Sequence, residues 1–591
     1  MVDGRVDVGM VDDLKKVGCL VAKLGNQPVC VVWHEGRAYA VDDRCPHLGF
    51  PLHRGSVHDG LLTCHWHHAR FDLASGSTLD PFADDVRAYP VEIDGDRVVI
   101  VQEAQPDRIG HLRHRLAEGL EQDLTLVTSK AVLGLLDAGV PVSDLIEIGV
   151  DFGTRYRQQG WGAGLTVLVA MANLVPHLDP EDRALALVHG LAFVARDTRN
   201  RPPRFGLGPL GPSDADAARL ATWYRRFIDT RSHEAAERTL ATAIASSASG
   251  AEIEGLMVAA ATDHVLVDEG HTIDFTNKAF EAIGHLGHQS AEQVLPTLVQ
   301  QTAHSHRSEE DSSWRHPHDL VRLIRTASDS LDTLVSAGAE ARAAESFREV
   351  GGLAWSLLAD GPDEVIAAVC DAIRAGADAE QVGRALAYAA ALRIVRFHVQ
   401  NDHADWDIVH HSFTYANALH QSLVRAPTGT SLRGVLHGVM KVYLDRFLNV
   451  PAARLPVHDA TSGRGDLLEL QECWDAQGQV ERAGRIVYQW IRSDGGVAPV
   501  CAALGHALLA EDAEFHWYQT IEAAVRQAWA WGDGTEEAAL ILVGAARFLA
   551  AHTPTRRELP QVVRIARRLR RGEALYEEDE PAVASPTDQR Q

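Results

Sequence analysis

Two hydrophobic rhythms divide the chain. The first hundred residues carry short, β-branched apolar runs: Pro28-Val-Cys-Val-Val-Trp33, Arg37-Ala-Tyr-Ala-Val41 and Arg97-Val-Val-Ile-Val101. Turn signals such as Asp94-Gly95-Asp96 separate runs of this kind, which predicts a small all-β domain over residues 1–102. Residues 103–111 read as a linker. Beyond them alanine, leucine and arginine dominate and apolar residues recur at helical spacing. Residues 112–575 are therefore expected to be almost entirely α-helical, and the acidic, polar residues 576–591 to be disordered. The expected fold class is multidomain, a small all-β domain followed by a large all-α domain.

The helical region repeats itself. Four segments share an apolar helix, a glycine and two further helices; the glycines are Gly139, Gly250, Gly376 and Gly495. Each glycine is expected to end a helix. His271 and His516 each fall twenty-one residues after their glycine, and His411 is the counterpart after an insertion around Asn401-Asp402-His403. Six residues further on stand Asn277, Asn417 and Glu522. Val188-His189-Gly190 with Asp197 corresponds to Leu436-His437-Gly438 with Asp445. The pattern predicts two pseudo-equivalent halves, about 112–320 and 345–575.

Composition narrows the function classes. A chain of 591 residues should hold more than one domain. A formal net charge of −25 argues against nucleic acid as a partner. The sequence has no apolar run long enough to span a bilayer and no signal-peptide pattern, so no membrane association and a cytoplasmic location are expected. Cys19, Cys30, Cys370, Cys473 and Cys501 form no disulfide framework, which fits a reducing compartment.

The other two cysteines carry the most specific motif. Cys45-x-His47 and Cys64-x-x-His67 are separated by sixteen residues. A zinc ribbon would also use two metal-binding loops, but it favours Cys-x-x-Cys knuckles and neither pair is one. The first loop reads Cys45-Pro46-His47-Leu48-Gly49; the second reads Cys64-His65-Trp66-His67, followed by Phe71-Asp72 and Gly76. Over roughly residues 5–102 this resembles the Rieske ferredoxin and oxygenase family. The resemblance implies a [2Fe–2S] cluster with Cys45 and Cys64 on one iron and His47 and His67 on the other. It also implies the ferredoxin or oxygenase type. Respiratory members have a cysteine in each loop joined by a disulfide, where this chain has Phe50 and Trp66. They also place a serine hydroxyl on a cluster sulfur where this chain has Ala69, so a potential near the low end of the Rieske range is expected. His53, His58, His65 and His68 are read as surface or packing residues.

For the helical region the expectation is a polar pocket built from His189, His271, His411, His437 and His516. Asp263, Asp268, Glu269, Glu511, Asp512 and Glu522 lie near enough in sequence to join it. Histidine and carboxylate side chains projecting inward from facing helices suit a second metal, iron. The Rieske-oxygenase signature Asp-x-x-His-x(4–5)-His fails, because Thr276 and Asn277 follow Asp268-Glu-Gly-His271 where a histidine is needed. No Glu-x-x-His pair of the ferritin-like kind is present either. The reading is an oxidoreductase that takes single electrons from a ferredoxin, flavoprotein or reductase and oxidises a small organic molecule, with room for O2 chemistry and for a homo-oligomer. Two alternatives stay open: a redox sensor or scaffold with a ferredoxin-like module, and a metal-free acid–base enzyme.

Overall fold

The computed structural model describes residues 5–101, 107–211, 214–246, 248–401, 405–459, 461, 463–573 and 575. The expected acidic tail, and Asp402 and His403 of the expected insertion, lie outside them. The chain forms two compact units, Met1–Val140 with Leu559–Gln591, and Pro141–Glu558.

Among the described residues the first unit contains ten short strands: β1 (Arg5–Met10), β2 (Cys19–Leu24), β3 (Gln27–His34), β4 (Arg37–Asp42), β5 (Ser56–His58), β6 (Leu61–Thr63), β7 (Arg70–Asp72), β8 (Ala88–Tyr89), β9 (Val91–Asp94) and β10 (Arg97–Val101). They form three antiparallel sheets in the orders β1-β10-β9, β2-β3-β4-β8 and β5-β6-β7. β3 explains its own apolar run, because alternate residues point to opposite faces and both faces are buried. Val29 and Val31 pack with Leu14, Leu24, Ala40, Val98 and Ile100. Cys30 and Val32 pack with Val41, Cys45, Leu52, Leu62, Cys64 and Phe71, so the second core reaches both cysteine loops. Each such buried valine contributes about 1.5–3 kcal/mol. Gly76 closes the turn after β7 at φ +77°, where a Cβ would lie 2.0 Å from the Val86 carbonyl oxygen. Only glycine fits there.

Helix α1 (Val11–Val17) links β1 to β2. Helices α2 (Arg108–Glu121) and α3 (Thr125–Asp137) follow the strands. The expected linker is thus helical from Arg108 onward, with Asp107 accepting from the Gly110 N–H as its cap. Arg115 of α2 and Lys130 of α3 both pair with Asp84, each at 2.8 Å. Burial opposes ionisation of Asp84, but these two charges hold it down at about 2. From the last helix, Glu558–Arg570, Leu569 closes on Gly49 in the first cysteine loop.

The second unit is built from helices. Four of them pack together: α4 (Ala163–Leu174), α6 (His271–Leu286), α7 (Asp405–Arg425) and α9 (Phe515–Trp531); α5 (Pro180–Thr198) and α8 (Leu432–Leu444) flank them. A buried ionic network joins the four. Lys278 of α6 donates to Glu281 at 2.8 Å and to Glu522 of α9 at 2.6 Å. Asn173 of α4 donates to the same two carboxylates at 2.7 and 2.9 Å. Arg425 of α7 donates to Asn277 of α6 at 2.6 Å. Among the described residues no helix is long and apolar enough to cross a membrane.

The four repeat glycines do not share one role. Gly139 (φ +79°) and Gly376 (φ +104°) follow helix ends in the left-handed conformation, as expected. Gly250 instead opens a helix, Gly250–Thr262, behind a capping box of Ser249 and Glu252. That Ser-x-x-Glu start signal is local and outweighs the glycine's preference for helix ends. At the fourth position Asp494 (φ +56°) takes the left-handed turn, and Gly495 lies against Trp490.

Candidate functional site

The two cysteine loops of the first unit share one local design. Cys45 N–H donates to the Phe50 carbonyl at 2.9 Å and Gly49 N–H to the Cys45 carbonyl at 2.7 Å. Cys64 N–H donates to the Ala69 carbonyl at 2.9 Å and His68 N–H to the Cys64 carbonyl at 3.0 Å. Gly49 (φ +77°) and His68 (φ +61°) therefore occupy equivalent left-handed positions. His68 serves as a turn residue. His53 is also structural, with its Nδ1 2.7 Å from Asp43 and its N–H donating to the same carboxylate at 2.7 Å. Burial raises the Asp43 carboxyl even though His53 works against it.

The loops bring their chemistry together. The Cys45 and Cys64 thiols are coupled, so they ionise unequally: the interaction with Cys45 draws Cys64 below the ordinary thiol range, while the same contact and burial push Cys45 up. Backbone N–H groups of His47 and Leu48 point at the Cys45 sulfur, and those of Trp66 and His67 at the Cys64 sulfur. These donors favour thiolates, the form that binds iron. The His47 and His67 rings meet edge to face at 4.7 Å. His47 Nδ1 is buried without a hydrogen-bond partner, and burial lowers the pKa of the ring, which keeps it neutral. Two convergent sulfurs, two convergent imidazoles and an orphaned ring nitrogen fit a [2Fe–2S] group that Cys45, His47, Cys64 and His67 could hold. Phe50 and Trp66 lie side by side at 6.2 Å, and Trp66 is exposed beside the exposed His67. Buried Ala69 has no hydroxyl to offer a sulfur.

In the second unit three of the expected histidines converge from three helices. His271 opens α6, His411 lies in α7 and His516 near the start of α9. One ring nitrogen from each lies within 4.8 Å of the others. His411 Nε2 and His516 Nε2 are 3.0 Å apart, and the His271 ring stacks on His516 at 5.4 Å. Two carboxylates border the cluster: Glu269 lies 3.3 Å from His411 Nδ1 and Asp274 lies 4.0 Å from His271 Nδ1. Gln519 of α9 donates to Asp274. Burial pulls His411 down to about 2 and His516 to about 4, so both present neutral lone pairs. Burial also disfavours charge on His271, but Asp274, Asp268 and Glu269 together raise it. Neutral imidazoles facing one another beside carboxylates can share a proton or bind a metal ion.

The segment leading into the triad is strained. Leu266, Asp268 and Glu269 have φ of +41°, +55° and +54°, ahead of Gly270 at +107°. Each non-glycine residue held this way costs about 1–2 kcal/mol, roughly 3–6 kcal/mol for the turn. The Gly270 Cβ position lies 2.9 Å from the Tyr415 ring, so no side chain fits.

The other expected residues go elsewhere. His189 of α5 is buried with its Nδ1 2.6 Å from the Tyr518 hydroxyl, and burial lowers it to about 4. His437 of α8 is buried near Arg433, Glu309 and His264, and burial lowers it to about 3. Among the acidic candidates, Asp263 pairs with Arg225 and Arg433, Glu511 with Arg557, and Glu522 with Lys278. Asp268 accepts from Gln301, and Asp512 accepts from the Glu558 N–H. Only Glu269 reaches a triad histidine. Asp274 was not among the sequence candidates, although its position one helical turn after His271 carried the signal.

Comparison with known proteins bears on the first unit. The Rieske [2Fe-2S] domain family model matches residues 4–90. The ferredoxin component of the alkene monooxygenase system of Xanthobacter autotrophicus is 36% identical over 102 residues, 17% of this chain and 84% of the relative. The ferredoxin component of the naphthalene 1,2-dioxygenase/salicylate 5-hydroxylase systems of Ralstonia sp is 28% identical over 104 residues, 17% of this chain and 100% of the relative. A Rieske domain-containing protein of Homo sapiens is 37% identical over 78 residues, 12% of this chain and 50% of the relative. Paired sulfurs, paired imidazoles and this kinship agree, and through residues 4–90 the chain belongs to the Rieske [2Fe–2S] domain family.

Proposed function

We propose that the protein is an oxidoreductase in which single electrons enter at the Rieske domain and are used at the His271–His411–His516 site. There a small organic molecule is oxidised with O2, with iron as the metal of the triad. Cys45, His47, Cys64 and His67 hold the [2Fe–2S] group, which when bound supplies one-electron chemistry. The relatives' names support an electron donor such as a reductase or flavoprotein, since they are ferredoxin components of oxygenase systems. The chain's own residues prepare each end. Exposed His67 and Trp66 give a donor an edge to approach, while buried Cys45 and Cys64 stay out of solvent. At the triad, burial keeps His411 and His516 neutral, so each ring retains one lone pair, and Asp274 and Glu269 supply negative charge that favours a bound cation.

The observation that carries this reading is the convergence of three histidines from separate helices, in a chain whose N-terminal domain belongs to an electron-carrier family. Iron and total metal per chain, measured on anaerobically purified protein with EPR of the dithionite-reduced sample, test it. The expected result is a Rieske signal with about two irons, plus further iron that is lost in His411→Ala. A Rieske signal with no further metal, and no O2 uptake on reduction, would end the oxidase reading and favour acid–base chemistry.

A further inference from the structure

We propose that Glu269 is the positioning carboxylate of a three-histidine site for a divalent first-row transition metal, fixing His411 with Nε2 turned toward His271 and His516. This rests on the reading of the triad as a metal site, and assigns it a controlling residue.

The His411 ring has two differently engaged nitrogens. Nε2 faces His516 Nε2 at 3.0 Å, and Nδ1 faces Glu269 at 3.3 Å. Histidines that bind metals almost always give their other ring N–H to a carboxylate or carbonyl, which fixes the tautomer and raises ligand basicity. Asp274 lies farther off, 4.0 Å from His271 Nδ1, and acts on that ring through its charge. Metal–nitrogen bonds of about 2.0–2.1 Å place neighbouring ligand nitrogens about 2.8–3.4 Å apart, the lower end at right angles and the upper end at the tetrahedral angle. The His411–His516 pair already has that spacing, so an ion needs mainly His271 to close in.

Glu269 is not where it is by default. Its side chain is 67% exposed, so burial does not hold it there. It sits instead on the left-handed turn of Leu266, Asp268 and Glu269, a conformation that an unconstrained glutamate leaves. Neighbours enforce the turn. Asp268 N–H donates to the His306 carbonyl at 2.8 Å, Gln301 donates to Asp268 at 2.9 Å, and Ser308 donates to the Leu266 carbonyl at 3.1 Å. A relaxed turn would swing the carboxylate off His411. Its exposure also puts solvent at the edge of the triad. Three protein ligands beside solvent describe a site with an exchangeable position, unlike a closed structural one.

The test is a Co2+ titration of the full-length chain with its Rieske signal intact, read by visible d–d absorption. Wild type is expected to bind about one Co2+ per chain with resolved d–d bands, and His411→Ala to lose them. Glu269→Ala should bind about 10–100-fold more weakly with shifted bands. Glu269→Gln, whose amide oxygen can still accept from Nδ1–H but carries no charge, should keep the wild-type band positions and bind with an affinity between wild type and Glu269→Ala. Far-UV circular dichroism checks that each variant is folded. If wild type gives no d–d bands, the triad is not a metal site and the reading beneath this inference fails. If wild type binds and Glu269→Ala matches it in affinity and spectrum, the role of Glu269 fails alone and the triad stands as a metal site without it.

Discussion

Lys278→Met tests what aligns the helices of the triad. Lys278 is 1% exposed, and its ammonium joins α6 to α9 through Glu281 at 2.8 Å and Glu522 at 2.6 Å. The same two helices carry His271 and His516, about two turns away. Methionine keeps the length of the side chain but leaves two carboxylates buried side by side. Removing one partner of a buried pair costs about 3–5 kcal/mol. Here two carboxylates lose the same cation, so a loss near 5 kcal/mol is expected, a large part of the roughly 5–15 kcal/mol that stabilises a domain. The pH dependence should change sign. In wild type, burial opposes ionisation of Glu281, but Lys278, Arg526 and Arg425 hold it down at about 2. That stability is fully present above the unfolded carboxyl pKa of about 4.3 and is lost as pH falls toward 2. In Lys278→Met the folded carboxyls lie above their unfolded values, the folded state takes up protons, and stability rises as pH falls from about 7 to about 5. Urea denaturation followed by far-UV circular dichroism at both pH values reads the two effects. A deficit below about 1 kcal/mol at neutral pH, the size of an exposed pair, would refute the reasoning. So would a deficit that grows on acidification.

Other expectations follow from single contacts. Cys64→Ser or His67→Ala should abolish the Rieske visible and EPR spectra while leaving the helical circular dichroism intact; loss of the helical signal as well would contradict independent units. His271→Ala and His411→Ala should remove the same bound metal, measured per chain, and one silent variant would break the shared site. Gly76→Ala places a Cβ 2.0 Å from the Val86 oxygen at positive φ. It should lower the thermal midpoint of the Rieske domain by an amount equivalent to about 2–4 kcal/mol, followed by cluster absorbance. An unchanged midpoint would show that this turn is not tight.

Legibility differed between the two ends of the chain for physical reasons. Each cysteine loop closes on itself within five residues, Cys45 to Phe50 and Cys64 to Ala69, so residue type and spacing specify the geometry locally. The β runs and the change to helical periodicity were legible for the same reason, because side-chain alternation is a local property. The start of α2 at Arg108, inside the expected linker, depended on a single Asp107 cap and was misjudged. Two of the repeat glycines were misjudged likewise, where a capping box at Ser249 and a left-handed Asp494 took over.

The triad required more than pattern. Matched spacing singled out His271, His411 and His516, yet it singled out His189 and His437 by the same logic. All five lie on helices packed into the core, and composition alone does not say which face of such a helix meets which neighbour. His411 and His516 are 105 residues apart in sequence and 3.0 Å apart in space. Their meeting follows from the rotation and register of α6, α7 and α9, which the Lys278 network and surrounding packing set. The same holds for Glu269, whose reach to His411 depends on a left-handed turn enforced by His306, Gln301 and Ser308 from later in the chain. The amino-acid sequence by itself determined the domain types, the cluster ligands' local loops and the set of histidines worth watching. Only the tertiary structure decided which three of them converge, because side-chain direction on a buried helix is settled by long-range packing.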